Sequence, residues 1–145
     1  MRTIVAQVYV KKDNKILMVQ ENKDGIKGKW GMPAGKLEDN ETILECAIRE
    51  TKEETNINIG VKGLIRIDQS TSSIGQLIIL YFLGEYISGD IKFDGKEISD
   101  VKWMSEKEIL SIKDNIRGKE TIEEILSLAK KKCIPLDRLK MEKFE

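Results

Sequence analysis

Hydrophobic and polar positions change their period several times along the chain. Residues 3–10 and 15–20 are rich in Ile, Val, Leu and Tyr, and the polar run Lys11-Lys12-Asp13-Asn14 between them predicts a hairpin. Residues 30–35 are broken by Gly31, Pro33 and Gly35, the signature of a loop. From Thr42 to about Thr55 the period turns helical, with Leu44, Ala47, Ile48, Thr51 and Thr55 forming a stripe to bury. Thr42 followed by Glu45 predicts a capping box at the start of that helix. Residues 61–69 and 76–87 read as two further strands. The second carries Leu77-Ile78-Ile79-Leu80-Tyr81-Phe82-Leu83, a continuous apolar run expected of a buried strand. A short strand follows over 98–104. Ser105 and Glu108 then cap a short helix reaching Ile112, and a second helix spans 119–131 and ends before Pro135. Strands, a central helix, more strands and closing helices predict one α+β domain over residues 1–145, with helices flanking a mixed sheet.

The central helix is built against its own electrostatics. At about 100° per residue, Glu50, Glu53 and Glu54 fall together beside the apolar stripe, while Glu45, Arg49 and Lys52 point the other way. Glu50 and Glu54 form an i,i+4 like-charge pair, which costs an isolated helix about 0.2–0.5 kcal/mol. They also lie toward the C-terminal half, where the helix dipole disfavours anions. A chain selected only for folding would place Lys there. A solvated acidic face is the plain alternative, but three clustered carboxylates also make a hard-oxygen site suited to Mg²⁺, with Mn²⁺ as a substitute.

The segment from Gly35 to Ile57 resembles the Nudix box, with Gly35, Glu41, Arg49, Glu50, Glu53, Glu54 and Ile57 at the spacings of that motif. Thr51 stands where an aliphatic residue is usual. Asn56 replaces the closing glycine, and Asn tolerates the left-handed conformation that position needs. Outside the box, Trp30 to Gly35 is similar to the family's loop leading into the motif, with Ala34 where many members carry glycine. Val101-Lys102-Trp103 is similar to its tryptophan strand. The Pro-Ala-Gly loop, the terminal helix and Ile134-Pro135-Leu136 resemble more particularly the NudJ type, which acts on nucleoside tri- and diphosphates and on a thiamine-precursor pyrophosphate.

The resemblance implies a Nudix α/β/α sandwich with a mixed central sheet. It also implies Mg²⁺-dependent hydrolysis of phosphoanhydride bonds in nucleoside di- or triphosphates, or in related nucleoside-diphosphate-linked compounds. By the same resemblance Glu50 and Glu54 are the leading metal ligands, and Glu53 is a further ligand or the group that deprotonates water. The carbonyl of Ala34 would complete the coordination. Glu97 is the ligand or base from outside the helix, with Asp94 as its competitor. Arg49 belongs to the catalytic motif, but a position turned away from Glu50 predicts that it pairs with Glu41 or Glu53 and fixes the loop. Gln20 and Arg66, on strands that could line a cleft, are candidate substrate contacts.

Composition trims the alternatives. Lys+Arg and Asp+Glu both number 25, so no global basic field points to nucleic acid or an acidic membrane, and RNA decapping is disfavoured. A phosphate site must then be local or borrow its positive charge from metal. The chain has no histidine, which removes the commonest general base and transition-metal ligand. That absence also argues against the isoprenoid-diphosphate isomerase chemistry found on this fold. Intact Glu50, Glu53 and Glu54 argue against a non-catalytic nucleotide-sensing module, the remaining rival.

Cys46 and Cys133 lie outside any CxxC pattern, and without histidine to activate it Cys46 reads as a small packing residue. Trp30 and Trp103 read as core residues, and Lys130-Lys131-Lys132 as a complement to a helix dipole. Neither a signal-peptide pattern nor an apolar run of about 20 residues is present, so a soluble cytoplasmic protein is expected. The expected partner is a small-molecule phosphoanhydride, with monomer and homodimer both open.

Overall fold

A computed structural model describes residues 1–144. The strands are β1 (Arg2–Lys12), β2 (Lys15–Glu21), β3 (Trp30–Gly31), β4 (Ala34–Lys36), β5 (Asn58–Ser72), β6 (Gly75–Ser88) and β7 (Ile98–Ser105). The helices are α1 (Ile43–Thr55), α2 (Glu106–Ser111) and α3 (Ile122–Ala129). The hairpin expected at Asp13-Asn14 forms, with Asp13 in the left-handed region at φ 55°. The sheet runs β3-β2-β1-β6-β5, with β4 added on β1 and β7 on β2. Among the strand pairs of the described residues only β1–β6 is parallel. Such a mixed sheet needs cover on both faces.

The register of β1 positions everything that follows. It pairs with β2 only beside the turn, at Lys11↔Ile16 and Lys12↔Lys15. Its earlier residues pair instead with β4, at Val5↔Lys36, Ala6↔Gly35 and Gln7↔Ala34. The two hairpin strands thus part, and the segment expected to be an irregular loop enters the gap as two short strands. Sequence pattern could not show this, because both strands are made by backbone pairing to distant residues.

Alternation along the strands divides the core in two. Ala6, Val8, Val10, Leu17, Val19 and Phe82 pack with Cys46 and Ala47 of α1 on one face. Tyr9, Met18, Trp30, Met32 and Tyr81 pack with Ile109 of α2 and Ile122, Ile125 and Leu126 of α3 on the other. The α/β/α sandwich is therefore present. The apolar run of β6 is only partly as expected: Tyr81 and Phe82 are buried, whereas Leu77 to Leu80 are half-buried. The β5–β6 ribbon runs past both cores to a tip where Ile74 is exposed.

Helix α1 starts and stops as its sequence predicts. Thr42 accepts from the Glu45 amide and Glu45 accepts from the Thr42 amide, while Asn56 closes the helix at φ 67°. Its buried face is rotated from the expected one. Ile48 is 42% exposed, and Cys46 and Glu54 are buried alongside Ala47, Thr51 and Thr55. The threonine hydroxyls donate to the carbonyls one turn back, Thr51 to Ala47 at 2.8 Å and Thr55 to Thr51 at 2.6 Å, so burial leaves neither without a partner. Helix α3 begins later than residue 119, because Gly118 at φ 73° and a turn from Gly118 to Thr121 precede it. Among the described residues no helix is long and apolar enough to cross a membrane.

Candidate active site

The site begins with the docking of α1 on β4. Cys46, Glu50 and Glu54 are spaced one turn apart and all meet the inserted loop. The Cys46 thiol lies 3.7 Å from the Gly35 carbonyl. Glu50 occupies the space beside Gly35, where any added Cβ would fall on its side chain. Glu54 Oε1 accepts from the Ala34 amide at 3.1 Å. The glycine is thus required by the close approach of a carboxylate rather than by an unusual φ. Burial pushes the Cys46 thiol up to about 12, which leaves it an inert packing residue.

Arg49 lies at the centre of a carboxylate network. Its Nε and Nη2 donate to the two oxygens of Glu41 at 2.9 and 2.7 Å, a bidentate pair. Its Nη1 donates to Glu50 at 2.7 Å and to Glu53 at 3.2 Å, and Nη2 reaches the Lys36 carbonyl at 3.1 Å. The pairing with Glu41 and Glu53 matches expectation, but the orientation does not. Arg49 turns toward Glu50, because a guanidinium on a long flexible stem is not confined to the direction of its Cβ. Hydrogen bonding from Arg49 holds the Glu41 carboxyl at about 2, far below the usual range.

Glu54 is only 8% exposed, and no cation pairs with it among the described residues. Burial pushes its carboxyl up to about 8; Glu21 and Glu50 add to the shift, while the Ala34 amide and Arg117 oppose it. Burial likewise raises Glu50, against the pull of Arg49. In the absence of divalent cations, burial thus favours the protonated form of Glu54 up to about pH 8, whereas an unfolded chain releases that proton near 4.5. That contribution to stability is complete below the unfolded value and is lost as pH climbs through about 8. The melting temperature in chelator is expected to fall from about pH 5 to pH 8, and Glu54→Gln to flatten the fall. The same slope in both proteins would assign the titration elsewhere.

Glu50, Glu53 and Glu54 line one cleft of about 180 Å³ together with Phe93, Asp94, Glu97 and Ile98. Both loop carboxylates considered from sequence, Glu97 and Asp94, therefore reach it. Their loop is held by Asn22, whose side chain donates to the carbonyls of Gly95 at 3.1 Å and Lys96 at 2.9 Å. The Asn22 amide donates to the Glu97 carbonyl at 2.9 Å. Neither Gln20 nor Arg66 lines this cleft. Gln20 donates to the Gly28 carbonyl at 3.2 Å and accepts from Ser99 at 3.2 Å. Arg66 is paired to Asp68 at 2.7 Å and Glu124 at 2.6 Å. The sequence reading missed Asn22, Glu21 and Arg117. Nothing local marks them, since their partners lie far along the chain.

The carboxylates of the cleft suit a hard divalent cation, and the chain has no imidazole. Ala34, expected to offer its carbonyl, is not among the residues that line the cleft and meets Glu54 through its amide. Among the described residues no three acidic or thiol side chains already converge as a metal cluster. Glu50 is turned to Arg49 and Glu54 to the Ala34 amide. A buried carboxylate raised toward neutrality beside two others is the feature that favours a bound cation.

Comparison with known proteins bears on the family and the fold. The NUDIX domain family model matches residues 1–125. The chain is 34% identical over 102 residues to the NAD-capped RNA hydrolase NudC of Vibrio parahaemolyticus, covering 70% of this chain and 38% of that protein. It is 36% identical over 92 residues to the ADP-ribose pyrophosphatase of Methanocaldococcus jannaschii, covering 61% and 54%. The chain thus spans about a third to a half of the length of such relatives. Among solved structures, a NUDIX hydrolase from Nitrosomonas europaea superposes with a TM-score of 0.84 at 27% identity, over 98% of both chains. With the box spacing, the sandwich and the match across most of the sequence in agreement, the chain belongs to the NUDIX domain family.

Proposed function

We propose that this protein is a Mg²⁺-dependent hydrolase that cleaves the phosphoanhydride bond of nucleoside-diphosphate-linked small molecules. The carrying observation is the single cleft that collects Glu50, Glu53, Glu54, Asp94 and Glu97, with Glu54 buried and, among the described residues, without a cation partner. The relatives named for ADP-ribose and NAD-cap hydrolysis support the substrate class, since both substrates join a nucleoside to a second moiety through a diphosphate.

Glu50 and Glu54, with Glu53 and the Ala34 carbonyl, would hold the cation. Bound there, Mg²⁺ or Mn²⁺ would neutralise charge on the diphosphate and make an attacking water more acidic. Glu53, Asp94 and Glu97 are exposed carboxylates of the cleft, and Glu53 and Glu97 are the candidates to take the proton from the attacking water. The water oxygen bonds to one phosphorus as the bridging P–O bond breaks, leaving two phosphate products. Arg49 acts by orienting Glu50 and Glu53 and by fixing Glu41 and the Lys36 carbonyl of the loop.

The test is a panel of ADP-ribose, nucleotide sugars, NAD, NAD-capped RNA, nucleoside di- and triphosphates, dinucleoside polyphosphates and thiamine-pathway pyrophosphates. Products are identified in the presence of Mg²⁺ and of chelator. Chelator-sensitive release of a nucleoside monophosphate from a small diphosphate-linked nucleoside is the expected result. Nucleotide binding without turnover on any compound would establish a sensing module instead.

A further inference from the structure

Outside the box, one charge pair, a buried Glu21 and a partly exposed Arg117, is joined to the loop that carries the site. Arg117 lies between the turn at Lys113–Asn115 and α3. Its amide donates to the Trp30 carbonyl at 2.8 Å. Its guanidinium then passes across Gly31, where an added Cβ would stand 2.7 Å from Nη2. Nη2 donates to the Met32 carbonyl at 2.8 Å, and Nη1 pairs with Glu21 at the end of β2. Glu21 is 2% exposed, and its Oε1 is buried without a partner. Two residues beyond Met32 is Ala34, whose amide holds Glu54.

Folding alone does not account for this arrangement. Burying the Glu21 carboxylate costs desolvation that its pairing with the partly exposed Arg117 must offset, and an unsatisfied carboxylate oxygen adds to that cost. An apolar pair of similar volume would stabilise the edge of the sheet as well or better. What it would lack is a directional grip on the Met32 carbonyl. Arg117 supplies that grip, and Glu21 holds Arg117 to it. Gly31 leaves the passage open.

Building on the metal-dependent reading above, we propose that Arg117 and Glu21 are positioning residues that set the Trp30–Ala34 segment. Through it they place the Ala34 backbone and the Glu54 carboxylate for cation binding. The pair touches neither cation nor substrate. Its effect is on where the first ligands stand, so it belongs to cation affinity and turnover rather than to substrate affinity.

The test compares the full-length protein with Arg117→Met, Arg117→Lys and the double variant Glu21→Met/Arg117→Met, which leaves no buried charge unpaired. Mn²⁺ affinity is measured by electron paramagnetic resonance without substrate, alongside kcat, KM and the circular-dichroism melt. The double variant is expected to fold, to bind Mn²⁺ about tenfold more weakly and to lose kcat by a similar factor, with KM little changed. Arg117→Lys should be intermediate, because an ammonium is a point charge that cannot grip Glu21 and the Met32 carbonyl as a planar fork does. A folded double variant with wild-type Mn²⁺ affinity and kcat would overturn the proposal, as would one that cannot fold. Wild-type protein that neither binds Mn²⁺ nor hydrolyses any compound would instead defeat the functional reading on which it rests.

Discussion

Glu54→Gln should lower Mg²⁺-dependent turnover by at least about tenfold while the protein stays folded, since changing even the outer partners of metal ligands costs about 10–100-fold. The substitution is close to isosteric, and its amide oxygen still accepts from the Ala34 amide that Glu54 accepts now. What disappears is a charge that the fold buries at 8% exposure and that burial already drives toward protonation. A neutral amide there relieves the metal-free protein of that conflict, so the variant should melt no lower than wild type in chelator at pH 8. Activity and stability are thus expected to separate. Steady-state kinetics with Mg²⁺ and a thermal melt in chelator read the two quantities. Unchanged turnover would remove Glu54 from the metal site.

Gly35→Ala is the second large effect. Gly35 lies in β4 opposite Ala6, and the point where its Cβ would stand is occupied by the Glu50 side chain. The backbone is ordinary there, so the clash is with a side chain rather than with conformation. Glu50 can move away by changing rotamer, so the fold should survive with a cost in the range of about 1–3 kcal/mol seen for overpacking. The carboxylate, however, leaves both the cleft and its bond to Arg49 Nη1. Turnover is expected to fall about tenfold or more, with weaker Mn²⁺ binding by the resting protein. Wild-type activity in a folded Gly35→Ala protein would mean that Glu50 does not act from the position it holds.

The parts of this site that could be read along the chain are those made by near neighbours. The capping box of α1, the left-handed Asn56 and the single-turn spacing of Glu50 and Glu54 need only helical geometry, and all are present. Ile48 and Arg49 show the limit of that reasoning. Helical spacing placed Ile48 in the core and turned Arg49 from Glu50. Docking against β4 instead rotated the buried face toward Cys46 and Glu54, and the Arg49 side chain curled back to Glu50. A helical wheel gives the direction of each Cβ. It does not say which angle of the wheel meets the neighbour, or where a long side chain ends.

Gln20 and Arg66 make the same point from the strands, since each is taken up by partners on other elements: Ser99 and Gly28 for Gln20, Glu124 for Arg66.

By itself, the amino-acid order determined the family motif, the layered fold class and the three helix carboxylates, because these rest on period and spacing within a few turns of chain. Tertiary structure alone decided that β1 and β2 part to admit β4 and that Asp94 and Glu97 close the cleft. It alone decided that Arg117 reaches Glu21 and Met32 past a glycine. Those contacts join residues that the chain keeps far apart. Their geometry follows from how sheet and helices pack, and no local pattern records it.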